Sequence, residues 1–195
     1  GYKFASAFGH TVVQPRACLA PLITTETWPG QLAGVGVENA AITAKVGNRK
    51  FCTSGPMLFT SDGIGGPAVL DLSRLITDFL PSATCPIKLN IDLMPQYDPC
   101  RLDREIVRLC TSHSKKELAS VLAMLLPRSL MLNLTYQLNL SATMLAGKLP
   151  KTQRRQLTNL LKRLSLSIKS VAPVSQATVT RGGVCADEIN PKTME

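Results

Sequence analysis

Aromatic side chains are scarce in this sequence: one Trp, three Tyr and five Phe among 195 residues, or 5%. Any core must be filled mainly by Leu, Val, Ile, Ala and Met, and the apolar share of 45% is enough to build one. Leucine-rich, aromatic-poor packing suits helices better than an aromatic-rich sandwich of strands. Long apolar runs are missing as well. The longest, Leu118 to Leu126, is stopped by Pro127, far short of the ~20 residues a membrane-spanning helix needs. No membrane association is therefore expected.

Cysteine occurs six times (Cys18, Cys52, Cys85, Cys100, Cys110, Cys185) but never as C-x-x-C, and only His10 and His113 could join as metal ligands. That spacing speaks against a structural zinc site. A chain of this size does not need disulfide staples, so reduced, mostly buried thiols in a cytoplasmic protein are expected. Motifs of catalysis are also lacking. There is no G-x-S-x-G elbow and no G-x-x-x-x-G-K-[ST] phosphate loop. Gly34-Val35-Gly36 resembles the start of a dinucleotide fingerprint, but Asn39 stands where the last glycine belongs. Two distant histidines do not suggest a triad, and Asp92 and Asp98 are read as structural. No catalytic or metal-binding residue is assigned.

Acidic residues vanish between Glu117 and Asp187, while Arg128, Lys148, Lys151, Arg154, Arg155, Lys162, Arg163, Lys169 and Arg181 fall inside that stretch. The formal net charge is +9. Such a run reads first as a solvated helix face; as a patch it would attract nucleic acid, acidic lipid or an acidic domain. It has no interleaved aromatics, so single-strand stacking is not indicated.

What is present is a change of period along the chain. Gly1 to Gly9 reads as a short helix end closed by glycine. Thr11 to Val13 and Leu19 to Ile23 are short extended runs punctuated by Pro15 and Pro21. Residues 34–46 alternate as a half-exposed strand, Gly47-Asn48-Arg49 forms a turn, and Lys50 to Thr60 returns antiparallel. Pro67 opens an amphipathic helix carrying Val69, Leu72, Leu75, Ile76 and Phe79, which is expected to end near Pro81. Pro86 to Leu93 alternates again. Asp98-Pro99 caps a helix with Leu102, Ile106 and Leu109 on its stripe. Ser114 and Glu117 match a capping box for a second helix through Leu126. A third runs from Pro127 to about Leu138, and a fourth from Lys151 to Leu164. Then Leu164, Leu166 and Ile168 alternate with polar residues, and a last run from Ala177 to Thr180 ends at Gly182-Gly183. The order is β, then α, then β: a helical block set into a β unit whose last strands come from the C-terminal part. Gly63-Ile64-Gly65-Gly66 ahead of a helix, and Gly182-Gly183, are either anion-binding turns or glycine-permitted tight turns.

Several separated stretches together resemble one family, the bacterial flavoproteins of the HI0933/YhiN type. They are Gly1-Tyr2, Ala5, Gly9-His10-Thr11, Pro15 and Leu19-Ala20-Pro21-Leu22; Leu58-Phe59-Thr60, Gly63-Ile64, Gly66-Pro67-Ala68-Val69-Leu70 and Ser73; Ile91 to Pro95; and Val179 to Val184, Glu188-Ile189 and Pro191 to Glu195. Ser61 stands where the family usually has His, and Gly65 where it usually has Ser.

The resemblance implies an α+β fold: a β-rich, barrel-like subdomain built from residues 1–95 and 165–195, with a small all-α subdomain at 96–164. It implies the insert, or cap, of an FAD-dependent oxidoreductase, covering the flavin and shaping the pocket of a small-molecule substrate, with NAD(P)H as a possible donor. FAD belongs to the full-length protein, and none is expected in this fragment, which should be inactive alone. The partner is the missing FAD-binding domain, with Gly1 and Glu195 as the neighbouring crossover points. Thr180, Gly182 and Gly183 are candidate flavin-facing residues, with Gly63, Gly65 and Gly66 as a second such loop. The alternative is a nucleic-acid-binding module using the basic helical lobe.

Overall fold

Two long alternating segments set the frame. In β3 (Gly36–Val46) the side chains of Val37, Ala40, Ile42 and Ala44 turn inward, and in β4 (Arg49–Thr60) Met57 and Phe59 do the same. The two strands pair antiparallel from Val46↔Arg49 to Gly36↔Leu58, with a bulge between Val37 and Ala40. The turn is the two-residue Gly47-Asn48, with Gly47 at a positive φ of 56°. A computed structural model describes residues 1–80, 86–141, 143–189 and 192–193.

β3 and β4 belong to a closed barrel of six antiparallel strands in the order β2-β5-β4-β3-β6-β7. The others are β2 (Leu22–Thr24), β5 (Gly63–Gly65), β6 (Ile87–Asp92) and β7 (Leu164–Val171). Closure falls between β2 and β7, where the ladder is irregular between Ile23 and Thr24. The Glu26 carboxylate accepts from Ser167 N at 2.9 and 3.1 Å, so the break leaves no donor unpaired there. Closing the sheet removes its edges. The α+β class with a barrel-like β portion drawn from both sides of the helices, expected from the resemblance, is the observed fold.

Helix α2 (Pro67–Ile76) starts at Pro67 as expected and packs against β3, β4 and β5, reaching β1 (Val12–Cys18) and β2. Its buried Val69, Leu72 and Ile76 join Leu22, Ile42, Phe59, Leu89 and Leu166 in one core. Pro81, near which the helix was expected to end, and Cys85 lie outside the described residues.

Between β6 and β7 come α3 (Pro99–Ser112), α4 (Leu118–Leu122), α5 (Arg128–Gln137) and α6 (Lys151–Lys162). Asp98 caps α3 by accepting from Arg101 N at 2.9 Å. Leu102, Ile106, Leu122, Leu130, Leu157 and Leu161 belong to the same continuous core as the barrel. The Leu93 N–H donates to Leu161 O at 2.9 Å across that seam.

Four local expectations are corrected. The capping box does not form: Glu117 is itself the N-cap of α4, without a side-chain cap bond, and its carboxylate pairs with Arg128 at 3.6 Å instead. That leaves α4 one short turn rather than a helix to Leu126. Leu164 opens β7 rather than ending α6, which stops at Lys162. β1 (Val12–Cys18) runs through Pro15, where a bulge between Val13 and Arg16 tolerates the missing N–H. Of the five described thiols only Cys18 and Cys110 are buried; Cys52 and Cys100 are exposed and Cys185 is half-buried.

Candidate functional site

β1 pairs with β8 (Val179–Val184) in a two-stranded ribbon outside the barrel. β8 therefore continues through Gly182 and Gly183 rather than ending at them, and both glycines adopt positive φ, 101° and 110°. Backbone crowding explains the residue type. A Cβ at Gly182 would fall 2.8 Å from Gln14 O in the bulge of β1. One at Gly183 would fall 3.2 Å from the Tyr2 ring of α1 (Tyr2–Ala7). The first helix, the first strand and the last strand thus meet at one place.

Polar contacts fix this meeting. The Thr11 N–H donates to Glu188 Oε2 at 3.0 Å, His10 Nδ1 stands 3.2 Å from the same oxygen, and Cys185 N donates to Thr11 O at 2.9 Å. The hydrogen bonds from Thr11, then His10, hold the Glu188 carboxyl below its ordinary value. Arg181 pairs with Asp78 just beyond α2. Ser73 ties the ribbon's exit to α2: its hydroxyl accepts from Ala20 N at 3.0 Å and donates to Leu70 O at 2.7 Å. Asn190, Pro191, Met194 and Glu195 lie outside the described residues, so the expected meeting of Gly1 with Glu195 does too.

The ribbon leaves apolar surface open. Helix α1 buries none of its residues; Phe4 is 71% exposed, and Phe8 just after it 83%. Tyr2, Val13 and Val179 are exposed as well. Beside the ribbon, a cavity of about 480 Å³ lies between β1, the end of α2 and β7, lined by Arg16, Leu80, Lys169 and Val171 among others.

The second glycine loop sits differently. Gly63 and Gly65 are buried in β5, and a Cβ at Gly63 would lie 2.2 Å from Leu22 O. Gly66, at φ 89°, is the N-cap of α2, and a Cβ there would lie 3.0 Å from Met57 Cα. Protein fills the space beside these glycines, so this loop, taken alone, offers no cradle for a dinucleotide. The structure does not bring the two glycine sets into one strand, and Gly34-Val35-Gly36 leads into β3, not into a helix. Ser61 donates to Asp62 at the barrel surface. Among the described residues no cluster of His, Cys, Asp and Glu could hold a metal ion, and no helix is long and apolar enough to cross a membrane.

Tyr2, Thr11 and Glu188 were not singled out as site residues by sequence. The signal was present only indirectly, since Gly9-His10-Thr11 and Glu188-Ile189 both belong to the stretches that resemble the flavoprotein family. Nothing local shows that residues 177 positions apart share a hydrogen bond.

A closed antiparallel barrel interrupted by a short helical block, with a ribbon joining its two flanks, defines a barrel-and-helix class of module. The chain belongs to the HI0933-like family: residues 16–179 match the HI0933-like protein barrel and H2TH domain. It is 30% identical to the ribosomal RNA dihydrouridine synthase of Haemophilus influenzae over the whole of this chain and 45% of that protein. It is also 30% identical to the ribosomal RNA dihydrouridine synthase of Escherichia coli, over 46% of that protein. A 3-dehydro-bile acid delta(4,6)-reductase of Clostridium scindens is 24% identical over 47% of its length. The chain thus spans a little under half the length of these curated relatives.

Proposed function

We propose that this chain is the substrate-side insert of an FAD-dependent oxidoreductase, a module that covers the flavin and shapes the pocket without being catalytic alone. One observation carries the reading: the segments flanking the barrel are bound into a single ribbon, and helix α1 beside it leaves Phe4 and Phe8 exposed. An apolar face of this kind is stable when a further domain covers it. An FAD-binding domain of the same protein is the partner that the resemblance implies. Thr180, Gly182 and Gly183 would stand nearest that joint, with Gly63, Gly65 and Gly66 holding β5 and the start of α2 behind it. The flavin, once bound by the other domain, would supply the redox chemistry, and this chain would exclude water and orient the substrate.

The relatives are named for a dihydrouridine synthase and for a delta(4,6)-reductase. The reaction class we infer for the whole protein is therefore reductive saturation of a carbon–carbon double bond. The test is flavin content. The 195-residue chain purified alone should be colourless, and the longer protein should be yellow. Replacing Phe4 and Phe8 with Ser in the longer protein should reduce retained flavin at unchanged barrel stability. Stoichiometric FAD on the chain alone, or full retention in the double variant, would defeat the reading.

A further inference from the structure

Four of the nine cations between Glu117 and Asp187 are neutralised within the fold. Arg128, Arg154, Lys162 and Arg181 are each paired, with Glu117, Asp103, Asp92 and Asp78. The uncompensated charge includes Arg155 and Arg163 from that run, and the fold combines them with cations from earlier in the chain.

On the outer face of the barrel Lys45 of β3 stands directly opposite Lys50 of β4. Both are exposed, and neither has an ion-pair partner among the described residues. Like charges facing each other across a ladder are destabilising. With Arg163 they line a cavity of about 520 Å³, whose one carboxylate, Asp92, is held by Lys162 at 2.6 Å. A second cavity, of about 430 Å³, lies in the groove between α3 and α6 and carries Arg104 and Arg155; its one carboxylate, Asp103, is held by Arg154. Arg155 and Asn159 of α6 line the second cavity, while Lys162 at the end of that helix and Arg163 directly after it line the first, so α6 joins the two. From Arg155 to Arg163 is about 12 Å at ~1.5 Å per residue, and β3 and β4 add roughly 5 Å per strand.

We infer that Arg104, Arg155, Arg163, Lys45 and Lys50 form a track for the phosphate backbone of structured RNA. Five cations without an ion-pair partner among the described residues, spread over a length of several nucleotides, match a polyanion better than a single small anion. No aromatic residue lines either cavity, so the track suits the backbone of a paired region rather than stacking on splayed bases. RNA is the polyanion favoured because two relatives are named for ribosomal RNA. The inference stands apart from the flavin reading, since it requires no cofactor and uses no residue of the ribbon or of the two glycine loops.

The experiment is a fluorescence titration of the protein with a labelled RNA hairpin at several salt concentrations. Binding should weaken steeply with salt, linearly in log–log form. The variant K45E/K50E/R163E should bind about tenfold or more weakly, and its salt slope should be shallower by about one for each phosphate left without its cation. R104E/R155E should do the same, while K115E/K116E, which changes charge beyond the far end of α3, should keep its affinity. Circular dichroism melts confirm that each variant is folded. A K45E/R163E variant, which leaves Lys50, serves if the triple variant unfolds. Three results would overturn the inference: no RNA binding at low salt, an equal drop in affinity for K115E/K116E, or binding to phosphatidylserine vesicles with none to RNA.

Discussion

The ring of Tyr2 rests on the backbone of Gly183, so close that a methyl group there would lie 3.2 Å from Tyr2 Cε1. Gly183 also sits at φ 110°, which side chains other than hydrogen resist. Replacing Gly183 with Ala should destabilise the ribbon by about 1–2 kcal/mol. Limited proteolysis checks it: cleavage within residues 1–11 should accelerate while the barrel survives. Unchanged protection of that segment would count against the contact.

Ser73 is fully buried and its hydroxyl both accepts from Ala20 N and donates to Leu70 O. Ser73→Ala leaves the Ala20 donor buried without a partner, since Ala20 is itself fully buried. The loss should be about 1–3 kcal/mol, read as a lower urea midpoint with an unchanged slope.

Lys162 gathers three acceptors: Asp92 Oδ2 at 2.6 Å, Met94 O at 3.0 Å, and Tyr97 O. It is 11% exposed, so most of its hydration is lost. Lys162→Met should destabilise by about 3 kcal/mol, because Asp92 and two carbonyls lose their donor. Adding Asp92→Asn should recover part of this. A double variant no better than the single would show that the carbonyls, not the carboxylate, dominate.

Asp103 accepts from Arg154 at 2.8 and 3.0 Å, and that hydrogen-bonded pair draws its carboxyl below the ordinary Asp value. The folded state therefore prefers the ionised form. This contribution is fully present above the unfolded pKa of about 4 and is lost as pH falls through the lower folded value. Thermal melts should show the wild type losing stability below about pH 4 more steeply than Asp103→Asn, with the two curves converging in acid. Parallel curves would remove the pair from the account.

Much of the fold is legible locally. The alternation in residues 34–60 specifies a hairpin because side chains change face at every residue, and Asp98-Pro99 specifies a helix start because both act within one turn. The capping box at Ser114 and Glu117 was also local, yet it failed: the helix starts after Glu117, whose carboxylate pairs with Arg128 from the next helix. Pro15 looked like a strand breaker and is instead accommodated at a bulge of a ribbon with no second neighbour.

The candidate site was less legible. The glycines at 63–66 and 182–183 are visible in the sequence, but which backbone each one admits is set by strands far away in the chain. The basic run shows the same limit. Its members are counted from the sequence, whereas the neutralisation of four of them by Asp78, Asp92, Asp103 and Glu117, and the arrival of Lys45 and Lys50 beside Arg163, depend on packing.

The amino-acid order alone determined the period of each segment and the family resemblance, since both follow from residue type at fixed short spacing. Barrel closure, the ribbon joining Tyr2 to Gly183, and the choice of which cations stay unpaired were decided only by the tertiary structure. Each of these is a contact between groups distant in sequence, and its energy exists only when the whole core has brought them within a few ångströms.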